Sequence, residues 1–172
     1  RVLFRSIINN LIFYSVFFFF SFCLALSDIK YMHIPLRVNY TGIIVFVLCV
    51  LLTEPHSIVQ ISTGAFVLLF IFCIVRMVVK GKLGMGDLHY SIFCGLFCGP
   101  VVCFFAIFLS SVLSMCFILF ILLLKRQKSD GVNIKIPFVP FMFAGSFIAK
   151  SISLIPAAEH LLISFTEGFR TY

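Results

Sequence analysis

The chain reads as an all-α membrane protein, a single integral-membrane domain built as a polytopic bundle of about six transmembrane helices. Composition points there first: of 172 residues, 62% are hydrophobic and 11% charged, whereas a soluble domain is roughly half apolar and a quarter charged. The second sign is a series of long uncharged runs. A helix needs about 20 apolar residues to cross a bilayer, and a backbone in lipid must satisfy its own hydrogen bonds, so such runs become helices. The third is that most basic residues fall in short stretches between the runs.

Residues 6–27 form the first predicted helix. Arg1 and Arg5 before it and "CLALSD" at its end imitate a secretory signal peptide. Its apolar run is longer than the roughly 7–15 residues of a signal h-region, and equally apolar segments follow, so it is read as a permanent helix. Residues 38–53 make a short second span, 57–75 a third and 101–124 a long later one. Between these lies 88–99, a dozen residues ended by Gly99-Pro100. The expected form is a hairpin of two helices turning at that pair, with a re-entrant segment as the alternative. Residues 138–155 supply the sixth segment, which contains Lys150.

Orientation follows from charge. If the loop 28–37 is cytoplasmic, that side carries eight basic residues (Lys30, Arg37, Lys80, Lys82, Lys125, Arg126, Lys128, Lys135) against three (Arg1, Arg5, Arg170) opposite. The positive-inside rule then places the loop before Leu88 at the cytoplasmic face of the plasma membrane. The net charge of +7 is accounted for by topology, and no nucleic-acid surface is inferred from it.

Six carboxylates are present. Glu54 in "TEPHS", Asp130 in "KRQKSDGVN", and Glu159 and Glu167 in the tail all suit solvated loops. Asp28 and Asp87 differ, because each stands where a membrane helix meets a short cytoplasmic segment. Ionisable groups at membrane depth are functional candidates. Singly, each has a structural reading: Asp87 as N-cap of a helix beginning at Leu88, Asp28 as a helix-end residue loosely paired with Lys30. Antiparallel helices nevertheless bring the end of the first and the start of the fourth to one face, where the two aspartates can meet.

Three stretches carry a resemblance. "GMGD" at residues 84–87 resembles the GxGD signature of intramembrane aspartyl proteases. "DIKYMHIP", with Ile34 and Pro35 six and seven residues after Asp28, resembles the first motif of the type IV prepilin peptidases. "KIPFVPFMFAG", with Pro137 and Pro140, resembles that family's lead into its last helix. Order and spacing match across nearly the whole chain. The resemblance implies catalytic Asp28 and Asp87, with Gly84, Gly86, Ile34, Pro35, His89, Pro137 and Pro140 as motif or substrate-positioning residues. It implies an aspartic endopeptidase that removes the basic leader from type IV prepilin or pseudopilin precursors at the cytoplasmic boundary, with no cofactor. His89 and Tyr90 stand where the family usually carries lysine and leucine. The CxxC-bearing N-terminal extension and methylation activity of larger members are not expected. A presenilin-like enzyme would have Tyr before its first aspartate, whereas this chain has Ser27; the archaeal preflagellin peptidases are nearer.

The chemistry stands without the family. Two neighbouring carboxylates cannot both ionise cheaply, so they share a proton and titrate as a pair. The ionised member activates water while the protonated one polarises the scissile carbonyl. Asp87 is favoured as the base because a helix N-terminus stabilises its charge. Gly84 and Gly86 are expected to give the backbone unusual dihedrals and close approach to an extended peptide, or else a flexible turn. Pro35 stops the loop from becoming helical before the second helix.

Other residues are expected to be structural. Cys94 and Cys98 share a helix face, but with His89 they still lack a fourth zinc ligand, and the seven cysteines lie in apolar segments. Gly95 and Gly99 suggest close helix packing. Lys150 is expected to snorkel to the outer interface, and Lys30, Lys80 and Lys82 to contact lipid headgroups. A proton-coupled transporter using the same aspartates is the competing class; it calls for polar residues deep in the spans and an internal repeat, neither of which is evident.

Overall fold

The protein is described by a computed structural model covering residues 2–80, 83–124 and 137–154, with side chains for 8–80, 83–123 and 137–154. The expectations for Lys82, Asp130, Glu159, Glu167 and the basic residues at 1, 125, 126, 128, 135 and 170 lie outside that description, as does the side chain of residue 5. Five helices follow in order: α1 (Val2–Tyr31), α2 (Leu36–Thr53), α3 (Ile58–Val78), α4 (Met85–Leu124) and α5 (Val139–Ser153). A 3-10 turn, Pro55–Ser57, joins α2 to α3, and no strand occurs among the described residues. Four helices, α1 to α4, are long and apolar enough to cross a membrane; α5 is shorter. Their outward faces are large apolar side chains such as Leu52, Phe66, Met77 and Phe108, a surface that suits lipid and not water. The protein is an integral membrane protein.

Several boundaries differ from expectation. α1 continues past Ser27 to Tyr31, since nothing in "DIKY" interrupts it. It ends where Met32 turns left-handed (φ 50) and donates its N–H to the Asp28 carbonyl at 2.9 Å, the bond pattern of a helix C-terminus. Pro35, extended at φ −71, flanks α2 as expected, and its carbonyl accepts from the N–H groups of Val38 and Asn39. α4 starts at Met85, three residues before Leu88, which puts Asp87 inside its first turn rather than at its N-cap.

The 40-residue α4 is broken at Gly99 (φ 76, ψ 175), a region open essentially to glycine, and Pro100 removes an N–H there. The chain doubles back at this point. Against α5, Cys98 meets Ser146 and Lys150, Ala106 and Ser110 crowd Gly145, and Phe117 packs on Phe141 at 5.2 Å. The partners thus descend α5 as the chain leaves the break. Arm 85–98 and arm 100–124 form the expected hairpin.

Close approach holds the hairpin to α3. A Cβ on Gly95 would lie 2.5 Å from Ala65 Cα and 2.6 Å from the Gly64 carbonyl oxygen, and one on Gly64 would meet the backbone of Gly95 and Gly99. In lipid, packing rather than hydrophobic transfer drives such contact, and small residues permit it. At the centre, Phe17 of α1 stacks on Phe97 (3.8 Å, 2°) and tilts against Phe93, while Phe46 of α2 meets both. Each aromatic pair contributes about 1 kcal/mol beyond area.

Lys150 finds a protein acceptor near the end of the bundle that holds Glu54. It is partly buried, with Nζ 3.5 Å from the Cys98 carbonyl, where arm 85–98 ends with free carbonyls and a negative dipole. Near the same end, Glu54 accepts from Asn9 Nδ2 at 3.0 Å and Ser57 Oγ at 3.4 Å, which ties α1 to the α2–α3 turn. Glu54 is therefore a structural acceptor in its turn.

Candidate active site

Three elements meet at the opposite end from Glu54. The end of α1 brings Asp28, the connection to α2 brings Met32, His33 and Ile34, and the start of α4 brings Gly84, Met85, Gly86 and Asp87. Together with Leu36 they line a cavity of about 250 Å³. The two aspartates, 59 positions apart in sequence, open on this one cavity, and the charge of Asp28 is felt at Asp87.

Asp28 is buried, 6% exposed, and its Oδ2 accepts the backbone N–H of Val139 at 3.1 Å. The Phe138 N–H lies alongside. These donors are free because α5 begins here and its first turn has no intrahelical acceptor. Pro140 sits at the second helical position, where its missing N–H costs nothing. The third sequence motif thus turns a helix N-terminus onto the first aspartate, an arrangement that favours negative charge. Lys30, the expected partner of Asp28, lies instead over the Tyr31 ring, 5.1 Å from its centroid.

The glycines show no left-handed backbone. Neither Gly84 nor Gly86 takes a positive φ. A Cβ on Gly84 would sit 3.0 Å from Asp87 Oδ2, and one on Gly86 would collide with Ile34. Their bareness makes room for neighbours already present.

His89 lies off the cavity. Its Nδ1 is 2.7 Å from the Met85 carbonyl, so that nitrogen carries the proton, and its ring meets Tyr40 edge-on at 5.8 Å. Its own carbonyl accepts from buried Asn39 at 3.0 Å. Pro35, Pro137 and Pro140 frame the elements without lining the cavity. Cys94 and Cys98 are buried, the Cys98 thiol donating to the Ser146 carbonyl at 3.8 Å. Among the described residues no three His, Cys, Asp or Glu side chains gather to hold a metal.

Two contributors were missed by sequence reasoning. Val139 donates through its backbone, so its side chain carries no signal; only the Pro at 140, marking a helix start, points to it. Arg76, in the last turn of α3, donates from Nη1 to the Leu83 carbonyl at 2.6 Å, anchoring the residue just before Gly84. A lone arginine inside an apolar run was the available clue. Arg76→Gln is expected to lower stability by about 1.5–3 kcal/mol, the contribution of a charged hydrogen bond, with Arg76→Lys in between. Thermal unfolding in detergent checks this.

Two carboxylates on one cavity, one of them held by backbone donors, are the groups this cavity offers for acid–base chemistry. No curated protein and no solved structure matches the chain significantly. A sequence model of the type IV leader peptidase family matches residues 15–122, a stretch that contains both aspartates and both glycines of the cavity. Covering well over half of the 172 residues, that match makes this chain a member of the type IV leader peptidase family.

Proposed function

We propose that the protein is an aspartic endopeptidase that removes the basic leader of type IV prepilin or pseudopilin precursors, with Asp28 and Asp87 as its catalytic pair. The observation that carries this reading is the opening of both carboxylates on one cavity in a member of a leader peptidase family. The Val139 N–H on Asp28 favours charge there. We therefore assign Asp28 as the base that activates water and Asp87 as the acid that polarises the scissile carbonyl, the reverse of the assignment drawn from the dipole of α4 alone. No metal and no covalent intermediate enters this scheme.

In this reading both arms of α4 and α5 enter the bilayer, giving six membrane segments in one domain of the cytoplasmic membrane, with the cavity at the cytoplasmic face. Arm 85–98 is about 20 Å long, shorter than the hydrocarbon core of about 30 Å, so Asp87 lies within reach of the headgroup region. A substrate with its basic leader in the cytosol and its apolar helix in lipid presents its junction at that depth. The test is incubation of membranes containing the chain with a prepilin, a pseudopilin and a preflagellin. Cleavage at the leader–helix junction of a prepilin or pseudopilin supports the reading; cleavage of preflagellin alone transfers it to that substrate, and cleavage of none refutes it.

A further inference from the structure

Ile34 and Gly86 touch across the two elements that carry the aspartates. Ile34 is 4% exposed and follows the left-handed turn at Met32; Gly86 immediately precedes Asp87. A Cβ built on Gly86 would stand 2.8 Å from Ile34 Cδ1, 2.9 Å from its Cβ and 3.0 Å from its Cγ1. Rotation of the side chain can move the first of these atoms but not the second, because Cβ is fixed to the backbone. Any side chain at position 86 must therefore push the 32–35 connection and the first turn of α4 apart.

We propose that Ile34 seated against bare Gly86 is a steric key that sets the distance between Asp28 and Asp87, making Ile34 a positioning residue; this rests on the reading of those aspartates as the catalytic pair. Asp28 is tied independently to α5 through Val139, so it cannot follow α4 if α4 moves. Ile34 is the contact that transmits α4's position to the connection after Asp28. The smallness of Gly86 then serves the protein's own Ile34.

The test is a set of four proteins: parent, Gly86→Ala, Ile34→Gly and the double variant, assayed for kcat and KM on a cleavable prepilin and for melting temperature in detergent. Gly86→Ala is expected to lower kcat about 100-fold with KM nearly unchanged, the cost of a misplacement near 1 Å. Ile34→Gly alone should cost about 3-fold, and the double variant should return to about that level, since removal of the whole Ile34 side chain, Cβ included, leaves room for the new methyl. Ile34→Gly should not rescue Gly84→Ala, whose methyl meets Asp87 Oδ2 instead. A double variant as slow as Gly86→Ala, rescue of Gly84→Ala, or a Gly86→Ala protein as fast as the parent overturns the key. If the parent cleaves nothing, the peptidase reading fails on its own, and the melting temperatures judge the contact: recovery in the double variant upholds it and additive losses overturn it.

Discussion

Asp28→Asn and Asp87→Asn are each expected to remove leader cleavage, by at least about 1,000-fold, the scale of a lost general acid or base. Both variants are expected to fold. In Asp28→Asn the new amide keeps a carbonyl oxygen that accepts the Val139 N–H, so the seat of α5 on α1 survives. In Asp87→Asn the substituted side chain stays within the first turn of α4. On the proposed mechanism, what disappears is one half of the acid–base pair. Cleavage of a prepilin by membranes with equal amounts of parent and variant protein checks this; a variant that retains parental rates removes that aspartate from the mechanism. The parent should show a bell-shaped dependence of rate on pH. On the acid side both carboxylates are protonated and no base remains, while on the alkaline side both are ionised and no acid remains. The two limbs belong to the pair, not to either residue.

Gly95→Ala is the second large effect, and it acts on the fold. The added methyl meets Ala65 Cα, the Gly64 oxygen and the Ala65 nitrogen at 2.5–2.8 Å, and all three are backbone atoms that no rotamer change can clear. α3 and arm 85–98 must separate. Overpacking of this kind costs about 1–3 kcal/mol where side chains can yield, and here they cannot, so the upper part of that range is the expectation. Thermal unfolding in detergent should show a clearly lowered melting temperature. Cleavage should fall too, because Arg76 on α3 holds Leu83 at the mouth of the cavity. A Gly95→Ala protein with parental stability would mean that α3 and α4 do not touch as described.

Much of the architecture was legible in the residues. Apolar runs in lipid have few alternatives to helix, and Gly99-Pro100 marked the turn of the hairpin because one residue permits φ 76 and the next withholds an N–H. Boundaries were less legible. "DIKY" is polar enough to resemble a loop, yet α1 continues through it until Met32 turns. Asp87 likewise resembled a cap until α4 was seen to start two residues before it.

The chain's residues by themselves determined that it is a helical membrane protein with two aspartates at helix ends beside recognisable motifs, because composition, apolar run length and local spacing are properties of the sequence. Only the tertiary structure decided that Asp28 and Asp87 open on one cavity, that α5 turns its N-terminus onto Asp28, that Arg76 anchors Leu83, and that Gly86 is bare for Ile34. Each of these joins elements far apart in the chain through a backbone donor, a carbonyl or an absent side chain. Such groups leave almost no mark on sequence, since every residue has a backbone and glycine's reason for being small is supplied by whatever packs against it.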